Sequence, residues 1–114
     1  MTMMDWNEYH KQVYAGLGEI GKVSPDIVKG YQSLGNAATK TGLLGPKVQE
    51  LIALAVAVTV RCDGCIVVHT ENAIKAGATK EEIIEALGTA ISVNAGAALV
   101  YSARAMDAFA VKKL

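Results

Sequence analysis

This sequence of 114 residues has few aromatic side chains, few charges and only two cysteines. Aromatic residues make up 5% of it and charged residues 19%, whereas hydrophobic residues make up 52%. The apolar mass is therefore mostly Ala, Val, Ile and Leu, whose small side chains suit closely packed helices. We expect residues 1–114 to form a single domain. So much apolar surface on one small domain also predicts that some of it is buried between subunits.

Neither sign of charge is in excess. Eleven Lys and Arg residues balance eleven Asp and Glu residues, and no basic patch stands out, which argues against nucleic acid as a partner. The sequence has no polybasic or amphipathic membrane anchor, and its first residues lack the basic and apolar regions of a secretory signal. We therefore expect a cytoplasmic protein that binds neither membrane nor nucleic acid.

Long hydrophobic runs are also scarce. Residues 51–60 form a strongly hydrophobic run, but Arg61 ends it and it is too short to cross a bilayer. Residues 87–103 form a longer uncharged run, which glycine, serine and asparagine interrupt. We interpret this second run as a buried helix or a subunit contact rather than a transmembrane segment.

Glycine, proline and capping residues divide the chain into segments that predict helices throughout. The alternation of valine with smaller residues at 56–60 leaves a strand as the competing interpretation there, but the 3.6-residue period over residues 48–55 favours a helix. Together these signals predict a compact all-α bundle. Its helices, about six, are expected from Asp5 to Gly21, Ser24 to Gly42, Gly45 to Val60, Cys62 to Gly77, Thr79 to about Asn94, and Leu99 to Lys113.

Chemistry is suggested by three residues at helical spacing, Cys62, Cys65 and His69. Offsets of three, four and seven place all three on one helix face. A thiolate near a helix N-terminus is stabilised by unpaired backbone N–H groups, and an imidazole one turn away can accept the thiol proton. Two thiols three residues apart can also close into a disulfide. The spacing therefore predicts a thiol–disulfide redox centre.

A carboxylate from the preceding helix is expected to complete this centre. If the chain reverses near Arg61, the third and fourth helices pack antiparallel and Glu50 comes alongside His69. There it could orient the imidazole or relay a proton. The other histidine, His10, is expected on the surface with no role.

Zinc is the chemical alternative for the same residues. Cys62, Cys65, His69 and Glu50 could supply four ligands of types that zinc accepts. However, three ligands on one continuous helix face make a poor tetrahedron. The pattern therefore favours redox chemistry without a bound metal or cofactor.

The spacing of Glu50, Cys62, Cys65 and His69 resembles the signature of the AhpD-like alkylhydroperoxidases, in the carboxymuconolactone decarboxylase superfamily. The resemblance implies an all-α fold that assembles as a homotrimer or homohexamer. It also implies the residue roles of a peroxidase cycle. Cys65 would attack the peroxide and become a sulfenic acid, Cys62 would donate a proton and then form the disulfide, and Glu50 and His69 would relay protons.

By the same resemblance, the substrates are organic hydroperoxides or H2O2, in antioxidant defence, and an external dithiol or lipoyl-type compound restores the thiols. Two kinds of alternative remain open at this point. One is a decarboxylase-like enzyme that shares only the fold. The other is a redox-sensing or zinc-binding interaction module.

Overall fold

Five α-helices make up the computed structural model, which describes residues 2–113. No β-strand is present in these residues, so the all-α class and the helical interpretation of residues 56–60 are confirmed. The helices are α1 (Trp6–Val23), α2 (Pro25–Thr39), α3 (Gly45–Val60), α4 (Asp63–Lys75) and α5 (Lys80–Lys112).

Helix starts follow the local capping signals of the sequence. The Asp5 carboxylate accepts the Glu8 N–H at 3.1 Å, which satisfies one of the free donors at the start of α1. At the start of α5, the Thr79 hydroxyl accepts the Glu82 N–H and the Glu82 carboxylate accepts the Thr79 N–H. This reciprocal pair is the predicted capping box.

Helix α5 is continuous where the sequence predicts two helices, so the bundle has five helices rather than about six. The expected break lay at residues 94–96. There the Asn94 amide donates to the Ala90 carbonyl at 2.8 Å and to the Thr59 hydroxyl of α3 at 2.9 Å. Asn94 thus bonds within its own helix and across to α3 instead of ending the helix. A glycine such as Gly96 costs a helix only about 1 kcal/mol.

Helix α3 is the centre of the packing, because α4 and α5 both pack against it. Helix α1 packs on α2 and α4. Small side chains allow the central helices to approach closely, since three of the four buried hydrophobic residues in the described chain are alanines. These four are Leu54 and Ala57 of α3, Ala73 of α4 and Ala90 of α5.

The second part of α5, residues 91–112, extends away from this core and is exposed apart from the half-buried Gly96. The Cα radius of gyration is 18.6 Å, with extents of 59 × 38 × 38 Å. By length and composition, α5 is also the one helix of residues 2–113 that could cross a membrane.

An ion pair joins the beginnings of α3 and α5. Lys47 Nζ lies 2.8 Å from Glu82 Oε2. The hydrogen bond from Lys47, followed by that from the Thr79 backbone N–H, holds the pKa of Glu82 below its ordinary value. Glu82 therefore serves both the capping box of α5 and the contact with α3.

Replacing Leu54 by alanine tests the core. Leu54 is only 3% exposed, so we expect Leu54→Ala to lower the free energy of unfolding by about 2–5 kcal/mol, measured by urea denaturation at fixed protein concentration. Leu43→Ala is the matched control, because Leu43 is 87% exposed and its loss should cost less than about 0.5 kcal/mol. Equal losses in the two variants would contradict this assignment of the core.

Replacing Glu82 by glutamine tests the ion pair through pH. Because the folded protein lowers the pKa of Glu82, its charge stabilises the fold above the ordinary carboxyl pKa, and this contribution is lost as pH falls through the lowered value. We expect wild type to have a higher Tm than Glu82→Gln at pH 7, and the gap to narrow by pH 3. A gap of the same size at both pH values would show that the charge of Glu82 does not stabilise the fold.

Candidate functional site

The turn between α3 and α4 positions both cysteines. Arg61 ends α3 in the left-handed conformation, with φ 57° and ψ 54°. The next residue, Cys62, donates its N–H to the Ala57 carbonyl at 3.0 Å, a bond that closes the end of α3. The chain reverses here, and α4 packs against α3.

Cys62 is the N-cap residue of α4. Its backbone is extended, with φ −104° and ψ 99°, and its Sγ accepts the Cys65 backbone N–H at 3.2 Å. The sulfur thus takes the place that a serine or aspartate oxygen usually takes at a helix start. Cys62 therefore precedes the helix and caps it, while Cys65 lies in the first turn.

The two sulfurs form a disulfide, Cys62–Cys65, with their Cα atoms 5.2 Å apart. Both residues are half-buried. The structure is therefore that of the oxidised protein.

A histidine–carboxylate pair lies beside the disulfide. His69 Nδ1 is 2.7 Å from Glu50 Oε2, and the two side chains are 28% and 24% exposed. A carboxylate this close places a proton on Nδ1, which leaves Nε2 to accept one from a neighbouring group. The structure thus brings Glu50 to His69 and Cys62 to Cys65, and His69 lies one helical turn after Cys65 on α4. Their catalytic roles stay a prediction.

A second histidine–carboxylate pair lies between α1 and α4. His10 Nδ1 is 3.0 Å from Glu71 Oε2, and the His10 side chain is only 16% exposed. The hydrogen bond from Lys75 holds the pKa of Glu71 below its ordinary value. His10 Nε2 is buried and has no hydrogen-bond partner in the described residues.

The expectation of a surface histidine at position 10 is therefore wrong. The sequence did contain a signal. His10 lies four residues after Trp6 and three before Val13, which places it on the apolar face of α1 that packs on α4. Val13 itself reaches the α4 N-terminus, where a Cβ on Gly64 would lie 3.5 Å from its side chain.

Within residues 2–113 of this disulfide form, no group of three or more His, Cys, Asp or Glu side chains is placed to hold a metal ion.

Comparison with known proteins identifies the family. The family model described as "Carboxymuconolactone decarboxylase family" matches residues 25–108, which include all four site residues. A crystal structure of an apo carboxymuconolactone decarboxylase family protein from Legionella pneumophila is similar, with a TM-score of 0.74 and 40% sequence identity. The similarity covers 91% of this chain and 93% of that one. The chain belongs to the carboxymuconolactone decarboxylase family.

Relatives at the sequence level carry no named activity. An uncharacterized protein from Haemophilus influenzae is 51% identical over 109 residues, 96% of each chain. An uncharacterized protein from the cox locus of Paracoccus denitrificans is 35% identical over 92 residues, 81% of this chain and 83% of that one. Family membership indicates an enzyme of decarboxylase or peroxidase type, and the substrate has to be argued from the site.

The position of Cys62 predicts a reactive thiolate in the reduced protein. In Cys65→Ser, the backbone N–H of residue 65 remains to stabilise the Cys62 thiolate. We therefore expect this variant to react with iodoacetamide at pH 7 several-fold faster when folded than when unfolded in urea. The rates are followed by mass spectrometry. If the folded variant reacted no faster than the unfolded one, the N-cap would not be activating Cys62.

Proposed function

We propose that the protein is a thiol-dependent oxidoreductase that reduces hydroperoxides, or disulfides, through the Cys62–Cys65 pair. One observation carries the proposal: a disulfide at a helix N-terminus lies beside a half-buried histidine–carboxylate pair. Such an arrangement provides a helix N-terminus that stabilises the Cys62 thiolate and an imidazole that can move the proton of Cys65.

In the oxidative half of the cycle, Cys65 is the attacking sulfur. His69 accepts the Cys65 thiol proton at Nε2, while Glu50 holds the ring through Nδ1 and stabilises the imidazolium. The Cys65 thiolate attacks one peroxide oxygen, the O–O bond breaks, and the alcohol or water leaves with the proton that His69 had accepted. Cys65 becomes a sulfenic acid. Cys62 then attacks that sulfur, its thiol proton joins the departing hydroxide to form water, and the disulfide forms.

An external dithiol completes the cycle. Its thiolate attacks the Cys65 sulfur, the disulfide bond breaks, and Cys62 leaves as a thiolate that the N–H groups of α4 stabilise. A better-stabilised thiolate is the better leaving group in thiol–disulfide exchange. The second thiol of the dithiol gives its proton to His69 and displaces Cys65, which then takes that proton from His69. The reductant leaves as a disulfide, so two electrons have passed to the peroxide.

We place this cycle in the cytoplasm, because a reducing compartment supplies the dithiols that the cycle consumes. No cofactor is bound in this scheme, and nucleic acid and membrane take no part in it. The reductant is a dithiol or a lipoyl-type compound.

We also propose that copies of the chain assemble, as a homotrimer or homohexamer. The chain exposes 9029 Å², whereas a folded monomer of 12.0 kDa is expected to expose about 6,000 Å². Its radius of gyration of 18.6 Å also exceeds the value of about 13 Å that is typical of this length. The excess of exposed surface, about 3,000 Å², is of the size that permanent interfaces bury.

Turnover with a hydroperoxide and a dithiol tests the proposed chemistry. We expect Cys65→Ser to abolish consumption of cumene hydroperoxide, and Glu50→Gln to lower kcat about 10- to 100-fold, because the glutamine cannot stabilise the imidazolium. Glu81→Gln is the matched control and should keep the wild-type rate, since Glu81 is exposed in the first turn of α5.

Two outcomes would overturn the proposed chemistry. Full peroxide consumption by Cys65→Ser would remove the attacking sulfur from the mechanism. Oxidation of the wild type once, with no turnover when dithiol is in excess, would identify a redox sensor rather than an enzyme.

A further inference from the structure

The exposed part of α5 carries a row of large apolar side chains. Ile91, Leu99, Met106 and Phe109 are 65–76% exposed, and their spacing of eight, seven and three residues places them on one helix face. We call these four residues the α5 stripe. Helix α5 packs on α3 and makes no contact with α1, α2 or α4 in the described chain. The stripe therefore has no partner in its own subunit.

A groove between α1 and α4 is also unfilled. Its volume is about 1180 Å³, and two of its apolar side chains, Tyr14 and Ile74, are 55% and 62% exposed. The His10–Glu71 pair, in which Glu71 is 44% exposed, lies between the same helices. We call this the α1–α4 groove. The residues that line it include Trp6, His10, Lys11, Tyr14, Ile66 and Ile74.

The groove matches the part of the stripe from Leu99 to Phe109 in length. The α4 side of the groove runs from Ile66 to Lys75, nine residue steps, or about 14 Å along a helix. The segment from Leu99 to Phe109 covers ten steps, or about 15 Å. Three large side chains of the stripe, those of Leu99, Met106 and Phe109, therefore fit along the groove.

Charges match as well. Asp107, within this segment, is the only acidic residue after Glu85. Lys11 lines the groove. Within residues 2–113, neither Asp107 nor Lys11 takes part in an ion pair. A helix lying in the groove of another subunit would bring these two opposite charges to the same edge.

We propose that the part of the α5 stripe from Leu99 to Phe109 of one copy packs into the α1–α4 groove of a second copy. This proposal rests on the assembly proposed above and names its interface. The two surfaces are different, so two copies can exchange them reciprocally in a twofold dimer, or successive copies can join head-to-tail around a ring. The docked helix completes a three-helix layer with α1 and α4 and buries Leu99, Met106 and Phe109. A lipid bilayer fits the segment less well, because Arg104 and Asp107 are costly in hydrocarbon.

Crosslinking between isotopically distinct copies tests the contact directly. Wild-type chains labelled with 14N and 15N are unfolded together in urea, refolded, and treated with a carbodiimide that joins carboxylates to amines in direct contact. We expect peptides that join Asp107 to Lys11 in mixed-isotope form. Crosslinks within single copies only, or between copies but never linking α5 to α1 or α4, would overturn the proposed interface.

Point variants at the proposed interface give a second test, in which light scattering measures the mass of the assembly. We expect Phe109→Asp to lower the mass of the assembly toward 12.0 kDa, whereas Leu43→Asp, at an 87% exposed position, leaves it unchanged. Lys11→Asp and Asp107→Lys should each weaken assembly at least 10-fold, and the double variant should restore it. These charge variants remove no apolar contact, so they test the interface even if Phe109→Asp fails to fold.

Separate readouts distinguish this interface from the chemistry. A wild type that stays at 12.0 kDa, or that sediments with lipid vesicles in place of assembling, overturns assembly and interface together. An assembled wild type in which the double charge variant shows no restoration overturns the interface alone. Loss of two thiols on adding hydroperoxide reports the chemistry, and its failure in an intact assembly counts only against the proposed cycle.

Discussion

The contact between Glu50 and His69 is the interaction on which the site depends, and it exists because α3 and α4 lie close together. Its 2.7 Å separation requires the two helix backbones to lie within the combined reach of a glutamate and a histidine side chain. Ala57 of α3 and Ala73 of α4 are almost fully buried, and such small side chains allow packed helices to approach closely. The left-handed Arg61 supplies the other half of the geometry, because it turns the chain back within two residues.

The same turn gives the two sulfurs different surroundings. Cys62 caps α4 and faces backbone N–H groups, which favour a thiolate. Cys65 lies inside the helix, four residues before His69, where an imidazole can take or return a proton. The backbone therefore stabilises one sulfur, and a side chain exchanges a proton with the other. This difference supports one sulfur as attacker and the other as resolving and leaving group.

Local signals predicted the fold well where local interactions decide it. The capping box of Thr79 and Glu82 depends on residues three apart, and it is present as expected. The proximity of Glu50 to His69 also followed from the expected reversal of the chain near Arg61, which makes α3 and α4 antiparallel. The break expected near Asn94 is absent, because Asn94 is bonded across to Thr59 of another helix. The burial of His10 likewise depends on α1 packing against α4, a long-range contact that helical periodicity indicates only weakly.

The most direct test of the proposed mechanism identifies the sulfur that reacts with peroxide. Reduced Cys62→Ser and Cys65→Ser proteins are treated with one equivalent of cumene hydroperoxide in the presence of dimedone, and the sulfenic acid adduct is located by mass spectrometry. We expect an adduct on Cys65 in Cys62→Ser and little or none on Cys62 in Cys65→Ser. An adduct confined to Cys62, or none in either variant, would contradict the role of Cys65 as the attacking sulfur.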